Sequence, residues 1–571
     1  MAITKVTGSL LGNYTVGTSN VVVGNTAGDS LQSGGIDNTV VGDEAGTAIT
    51  TGRFNTLIGK EAGDALNDAD SNVAIGKGAL SSDTQGSQST AIGTLALTAQ
   101  NFTSATDAYN VAVGAEAGKA VTTGTDNTII GGLAGDASTT GAGNTFIGKE
   151  AGSANTTGGD NVAVGKGSLK TNTTASNNIA IGKDALELNT TGAANVAVGN
   201  FALDSNTTAN DNVAIGHDAL QANTTGALNT AVGTSALGAN TTADSNNAFG
   251  RRALYTNTTG AQNTALGYLS LYLNTTASYN TSVGVSSMQS NTTGAKNTSV
   301  GYGALTSNTT GTENVVVGEV ALDANTTGNY NTAIGRHALS SNTTASNNTA
   351  VGRNAMGDNT TGAGNTALGK DAGAAITTGA NNICIGIDCG DTTTTGDTNI
   401  LIGNTARASA SGGANQISMG VVVTCVGDNN FTFGNQGTDS NIAFGATSIT
   451  APSDIRLKED IQDEEVGLNF INDLRPVTFL WKKEKDIPSH FDSYKEGSEE
   501  RTMNGKHNHG FIAQEVKATI DAHNLKDGFE MWQENESDGR QRVAPAALMS
   551  VMVKAVQELS TQVDELKQEL I

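Results

Sequence analysis

A glycine that closes an Asn-x-Ala-Val-Gly pattern recurs with a constant 17-residue period through most of this chain. The spacing holds without a slip from Gly114 to Gly420. A fixed period of this size indicates one small structural unit stacked many times. Each repeat has only two small apolar clusters, such as Val196–Val198 and Ala185 with Leu186. Two such clusters cannot form a core alone, so the repeats are expected to stack directly on one another.

One repeat, residues 182–198, predicts how a single coil folds. Val196–Val198 has the pattern of a short strand, and Gly182 suits a turn because glycine readily takes positive φ. Asn189-Thr190-Thr191-Gly192 has the composition of a polar turn. We therefore predict a mainly β fold, in which residues 20–445 form a parallel β-solenoid of 17-residue repeats.

Two further features of the sequence agree with stacked coils. Asparagine stands four residues before the glycine in every repeat from Asn110 to Asn399, and stacked asparagines form ladders of side-chain hydrogen bonds. No proline precedes Pro452, as expected where each coil donates its backbone N–H groups to its neighbour. From Gly24 to Gly420, 24 glycines mark coils, which predicts a length of about 115 Å at about 4.8 Å per coil.

The period changes at two places. The interval from Gly93 to Gly114 is longer than the usual repeat, because one coil carries a four-residue insertion. After Gly420 the marking glycines come closer together, at Gly434 and Gly445. This shortening predicts that the solenoid tapers before it ends.

The composition changes abruptly near Pro452. All four prolines and both tryptophans lie at or beyond this residue, and charged residues become much denser there. An ordinary globular composition after a biased repeat indicates two different kinds of structure. We predict an N-terminal attachment segment (1–19), the solenoid (20–445), a linker (446–452) and a small α+β domain (453–571).

The charge and apolar pattern disfavour several classes of partner. The net charge of −24 argues against binding to nucleic acid or to an anionic membrane surface. No apolar run approaches the roughly 18 residues that a membrane span requires. Residues 1–12 also lack the apolar stretch of a secretion signal. We therefore expect no nucleic-acid partner, no membrane insertion and no signal peptide.

The repeats resemble the head domains of trimeric autotransporter adhesins, whose N-x-A-[VI]-G motifs form thin coils around a three-fold axis. The resemblance covers roughly residues 20–420 and implies a homotrimer. A near-perfect repeat leaves the alignment of neighbouring chains weakly specified, because a shift of one whole repeat changes almost no local contact. An oligomeric solenoid of this kind therefore needs a separate domain that sets its register.

The sequence after the solenoid supplies a candidate for that domain. Three motifs follow in order: S-D-I-R-L-K-E-D-I from Ser453, F-I-N-D-L-R-P-V-T-F-L-W over residues 470–481, and H-G-F-I-A-Q-E-V over residues 509–516. Together they resemble the endosialidase-type intramolecular chaperone domains of phage tail spikes, tail fibres and neck appendages. The resemblance covers residues 453–571 and implies a domain that assembles three chains.

The same resemblance implies self-cleavage by a serine peptidase with a Ser-Lys dyad. The catalytic residues would be Ser453 and Lys458, and the cleaved bond would be Pro452–Ser453. Asp454 and Arg456 match the family's local pattern and are assigned supporting roles. A serine hydroxyl needs a nearby base, and a lysine is a base only when burial or a neighbouring charge lowers its pKa. The alternative is that Ser453 caps a turn and Lys458 is solvated.

The last residues carry the heptad pattern of a short coiled coil over residues 548–571. Its two apolar positions are filled by Met549, Val556, Val563 and Leu570, and by Met552, Leu559 and Leu566. Valine at one position and leucine at the other favours two strands in isolated peptides, whereas the family resemblance implies three.

No cofactor or metal site is predicted. Cys384 and Cys389 stand where the repeat usually has a small residue, which favours buried small side chains over a disulfide or a metal pair. His507 and His509 lie close together, but no spaced carboxylate or cysteine set accompanies them.

Two surface features of the solenoid each have two interpretations. Tyr255 and Tyr272 lie one repeat apart and are expected to stack, with Tyr268 and the pair Arg251-Arg252 nearby. Such a patch suits a sugar or a host surface group, and ordinary variation at solvent-facing positions is the alternative. The recurring Asn-Thr-Thr formally matches a glycosylation acceptor, although we favour its interpretation as a turn.

The whole pattern favours a structural trimeric phage fibre or appendage, made in the host cytoplasm and carried on the virion surface. Its expected partners are two further copies of the chain, other virion proteins, and a host-cell surface glycan or protein receptor. A polysaccharide-degrading tail spike is one alternative, but such enzymes need paired carboxylates in a cleft, and these coils are too uniform. A secreted adhesin is the other, and the missing signal and anchor argue against it.

Overall fold

A computed structural model describes residues 19–436, 438–491, 493–503, 505–525, 529–535 and 539–570. The chain divides into two compact units, Met1–Pro452 and Ser453–Ile571. The predicted N-terminal attachment segment lies outside the described residues except for Ser19. Among the described residues, no helix combines the length and the apolar character needed to cross a membrane.

The first unit is a parallel β-solenoid, as predicted. Each coil within residues 19–421 contributes one short strand, and successive strands pair in parallel with a shift of one repeat, as Val196 does with Val213. Nearly every shift equals the period that the sequence predicts. The coil strands are Val21–Val23, Thr39–Val41, Thr56–Ile58, Val73–Ile75, Thr90–Ile92, Val111–Val113, Thr128–Ile130, Thr145–Ile147, Val162–Val164, Ile179–Ile181, Val196–Val198, Val213–Ile215, Thr230–Val232, Asn247–Phe249, Thr264–Leu266, Thr281–Val283, Thr298–Val300, Val315–Val317, Thr332–Ile334, Thr349–Val351, Thr366–Leu368, Ile383–Ile385, Ile400–Ile402 and Ile417–Val421.

The two irregular places in the period have distinct structures. Near the four-residue insertion, Thr106–Asp107 pairs in parallel with Gly86–Ser87 and forms a small second sheet. At the far end, Asn430–Asn435 continues the parallel stack, and Ser440–Ala443 then pairs with it antiparallel. This reversal ends the parallel ladder, because Ser440–Ala443 runs opposite to the strands of the preceding coils.

The predicted asparagine ladder is confirmed and lies inside the solenoid. Asn195 is fully buried, and its Oδ1 accepts a hydrogen bond of 3.0 Å from the backbone N–H of Asn212. Its Nδ2 donates to the backbone carbonyl of Ala209 at 2.8 Å. The same contacts recur from coil to coil, so each asparagine satisfies backbone groups that the narrow interior hides from water.

A second buried asparagine ladder was missed by the sequence interpretation. The asparagine of each Asn-Thr-Thr, from Asn155 to Asn359, is fully buried. Asn206 Nδ2 donates to Asn189 Oδ1 at 2.8 Å and to the backbone carbonyl of Ala209 at 3.1 Å. These amides are structural and lie inside the coil, so they are not available as glycosylation acceptors.

The remaining interior is apolar and small. Ala185, Leu186 and Ala197 are fully buried, as the stacking argument predicts. Cys384 and Cys389 are buried free thiols, which confirms their role as small interior side chains. Their mutual hydrogen bond, together with burial, raises the pKa of the Cys384 thiol well above its ordinary value.

The marking glycines are required by both conformation and space. Gly131 has φ +138°, and a Cβ there would lie 2.4 Å from the carbonyl oxygen of Gly148 in the next coil. At the adjacent Gly132 the nearest atom would be 4.0 Å away. We expect Gly131→Ala to destabilise its coil by about 3 kcal/mol or more, because backbone strain and overlap add.

Hydrogen exchange of the coils next to residue 131 measures this effect, because it reports local opening. Gly132→Ala is the matched control and is expected to leave the exchange rates nearly unchanged. Equal effects of the two substitutions would contradict the role assigned to the marking glycines.

The second unit is small and contains both helices and short strands. Its helices are α1 (Leu468–Asp473), α2 (Ala513–Ala522) and α3 (Leu548–Glu569), and a short 3₁₀ turn (Ile455–Leu457) lies near its start. Val477–Phe479 pairs antiparallel with Asn508–Gly510, and Trp532–Glu534 with Gln541–Val543. The buried core residues come from all three helices and the segments next to them: Phe470, Leu474, Val516, Ile520, Met531, Leu548 and Val551.

Candidate self-cleavage site and assembly surfaces

Ser453 and Lys458 lie side by side at the start of the second unit. The 3₁₀ turn Ile455–Leu457 separates them and folds the chain back on itself. As a result Lys458 Nζ donates a hydrogen bond of 2.8 Å to Ser453 Oγ. This is the distance over which a nucleophile and its base exchange a proton, so the geometry is compatible with the predicted dyad.

Asp454 and Arg456 hold the turn that joins the two residues. The Asp454 carboxylate caps the 3₁₀ turn by accepting a 2.9 Å hydrogen bond from the backbone N–H of Arg456. Arg456 Nε also donates to Asp454 Oδ1 and Oδ2 at 3.0 Å each. The guanidinium and the capping bond hold the pKa of Asp454 below its ordinary value. The pair therefore shapes the loop between Ser453 and Lys458.

Ser453, Lys458 and their surroundings are open to solvent in the single chain. Ser453 and Lys458 are both exposed. The apolar neighbours Ile455 and Leu457 are also exposed, at 72% and 69%. A lysine acts as a base only when burial or a neighbouring charge lowers its pKa, and the single chain provides no burial at Lys458.

The two later sequence motifs pack against each other in the core of the second unit. Phe470 and Val516, one from each motif, are both buried there. Arg475 Nε donates to Glu515 Oε2 at 2.9 Å. Between the motifs lies an apolar groove of about 1150 Å³ whose lining includes Trp481 and His509. Among the described residues no three histidine, cysteine or acidic side chains converge as a metal site would require.

Helix α3 has two faces with different roles. One face packs in the core through Leu548 and Val551, and Glu558 accepts a 2.7 Å hydrogen bond from the backbone N–H of Leu468. The other face is an exposed apolar seam, here called the α3 seam, at the predicted heptad positions. Its members are Met549, Met552, Val556, Leu559, Val563, Leu566 and Leu570.

The solenoid also carries a line of apolar side chains, some exposed and the rest half-buried, that the sequence pattern alone did not reveal. The residue before every marking glycine is apolar in all 24 coils, from Val23 to Met419. It is the last residue of the strand in nearly every coil and points away from the interior, so none of the 24 is buried. We call this line the strand stripe. Apolar surface patches of this extent are typical of protein interaction surfaces.

The predicted tyrosine stack on the solenoid surface is present. The rings of Tyr255 and Tyr272 are 5.7 Å apart between centroids and nearly parallel, at 10°. The guanidinium of Arg252 lies 5.7 Å from the centre of the Tyr255 ring, and that of Arg251 lies 5.8 Å from the Tyr268 ring. The sequence therefore predicted the neighbours in this patch correctly.

Comparison with known proteins gives a family match within the second unit. Residues 453–525 match the family model described as Chaperone of endosialidase. No curated protein sequence matches the chain. The matched stretch begins at Ser453, contains Lys458, and covers well under half of the chain. The start of the second unit is thus similar to the chaperone of endosialidase, and it follows a parallel β-solenoid of 17-residue coils.

Proposed function

We propose that the protein is a homotrimeric phage fibre or appendage whose second unit assembles three chains and then cuts itself off. The α3 seam is the observation that carries this proposal. Seven large apolar side chains at heptad spacing are exposed in the single chain, which is a costly arrangement unless other copies cover them. The resemblance of both units to trimeric proteins favours three copies over two.

The strand stripe supports the same proposal for the solenoid. An unbroken line of apolar side chains along one sheet face suits burial against two further solenoids. Because the line is nearly uniform, a shift of one coil costs little, and the solenoids alone do not define their alignment. Association of three α3 helices first would bring the coils together in a single register.

Cleavage would follow assembly, because the dyad needs burial. As other copies bury the dyad, Lys458 gives a proton to bulk water, and its neutral amine then accepts the hydroxyl proton of Ser453 as Ser453 Oγ bonds to the carbonyl carbon of Pro452. The C–N bond between the two residues breaks, and its nitrogen takes the proton back from Lys458. Water then hydrolyses the ester, leaving a carboxylate on Pro452 and a free amine on Ser453.

Release would leave a solenoid that does not reassemble once separated. Its stability would be set by its unfolding barrier, because the unit that establishes register has gone. This suits a fibre that works outside the cell, on a virion surface, where it contacts a host receptor.

Native mass spectrometry of the full chain tests the proposed assembly. We expect the Ser453→Ala protein, in which the two units remain joined, to have the mass of three copies. A stable monomer at micromolar concentration would overturn the proposal.

A further inference from the structure

One stretch of the solenoid has a charge pattern unlike the rest. Residues 245–312 contain no aspartate or glutamate, although the chain has 55 acidic residues. The same stretch carries Arg251 and Arg252 and several tyrosines. In a strongly acidic protein, such a gap creates a long region where a negatively charged ligand meets no fixed negative charge.

Arg251 directly follows a marking glycine, and the arginines that follow marking glycines elsewhere in the solenoid are paired with acidic residues. Arg336 lies 3.2 Å from Glu319, and Arg353 lies 3.2 Å from Asp371. Among the described residues Arg251 and Arg252 have no ion pair; the nearest pairs along the chain are His217 with Asp218 and Lys296 with Glu313. Their guanidinium groups contact tyrosine rings, and within the described part of the chain their N–H groups donate to no protein acceptor.

The exposed side chains of this region form a line along the stack of coils. Arg251, Tyr268, Val285 and Tyr302 follow the marking glycines of four successive coils. Backbone hydrogen bonds tie these coils together, from Leu269 N to Arg251 O at 3.3 Å and onward through the next coils. At about 4.8 Å per coil the line is about 14 Å long, and Tyr302 at its end is 63% exposed.

The stacked tyrosines Tyr255 and Tyr272 lie on the same coils as Arg251 and Tyr268. Tyr255 sits above Gly238, where a Cβ would be 3.0 Å from the tyrosine ring. The absence of a side chain at Gly238 thus leaves room for the ring to lie flat on the coil below. Arg252 lies against Tyr255, so its side chain is held in place before any ligand arrives, which reduces the entropy lost on binding.

We propose that these residues form a binding site for an acidic polysaccharide, with Arg251 and Arg252 holding a carboxylate and Tyr268 and Tyr302 contacting sugar rings. A guanidinium binds a carboxylate through two parallel hydrogen bonds, and exposed tyrosines offer flat faces with a polar tip. The line runs along the stack, which suits an extended polymer of uronic acids. This inference rests on the proposed function and names the class of host receptor.

Affinity electrophoresis of the full-length assembled protein tests the site, with polygalacturonate, hyaluronate and alginate as acidic probes and dextran as the neutral one. We expect binding to at least one acidic polymer and none to dextran. The variant Arg251→Thr with Arg252→Ser copies Thr234 and Ser235 of the preceding coil, so its fold is expected to persist. Its affinity should fall about 10-fold or more, since two charge-assisted hydrogen bonds are lost.

Arg336→Thr with Arg353→Thr is the matched control. It also removes two arginines from exposed positions after marking glycines, but both are ion-paired, so binding should change by less than about 2-fold. Binding to no acidic polymer, an equal loss in the control, or equal binding of single-stranded DNA would overturn the proposal.

Native mass of each variant separates this inference from the proposed function. Three-copy particles that bind no acidic polymer would contradict the polysaccharide site alone. A monomer whose binding depends on Arg251 and Arg252 would support the site and contradict the proposed assembly.

Discussion

Replacing Ser453 by alanine is expected to abolish release of residues 453–571. The substitution removes the Oγ that would attack the carbonyl carbon of Pro452. Lys458→Ala removes the amine that lies 2.8 Å from that oxygen and is expected to have the same effect. Loss of a nucleophile or its base lowers such rates by about 10³-fold or more. Intact-mass spectrometry of the expressed chain detects the fragment that begins at Ser453.

Two further variants sharpen this test. Lys458→Arg keeps the positive charge, but a guanidinium does not lose its proton, so cleavage should also fail. Glu459→Gln changes the adjacent exposed side chain and should leave cleavage intact. Native mass checks that the uncleaved variants still assemble. Release of the same fragment from both Ser453→Ala and Lys458→Ala would refute the dyad.

Charging the α3 seam is expected to prevent assembly. Val556 and Val563 are exposed at 65% and 41%, so replacing both by aspartate should leave the fold of the single chain intact. Three copies would then bury six carboxylates close together, at a cost of several kcal/mol per unpaired charge. We expect the native mass to fall from three copies to one. Cleavage should fail as well, because the dyad would stay exposed.

The control variant adds the same charge to helix α3 but leaves the side chains of the α3 seam unchanged. Gln557→Asp with Gln568→Asp adds the same two charges at exposed positions outside the heptad seam and is expected to assemble and cleave normally. Circular dichroism checks that helix α3 persists in both double variants. Trimers of the Val556→Asp, Val563→Asp protein would show that the seam is not the assembly surface.

Ser453 and Lys458 were identified through the family resemblance, and the contact between them needs only local structure. Only four residues separate Ser453 from Lys458, so a single capped turn is enough to bring them together. The burial that would make Lys458 a base could not be predicted in the same way. It depends on what covers Ile455 and Leu457, which lie exposed in the single chain.

The sequence by itself determined the repeat architecture, since a 17-residue period with a glycine and a buried asparagine per coil permits direct stacking and little else. For the remaining positions of the repeat, only the tertiary structure decided which side chains face inward. Every position of the repeat recurs with the same period, so the period alone does not show that Asn189 is buried and Ile181 is exposed. Side-chain polarity also misled, because Asn189 satisfies hydrogen bonds inside the coil while the apolar strand stripe lies outside. The path of the backbone around each coil sets that division, through contacts between residues that are neighbours in space and a full repeat apart in sequence.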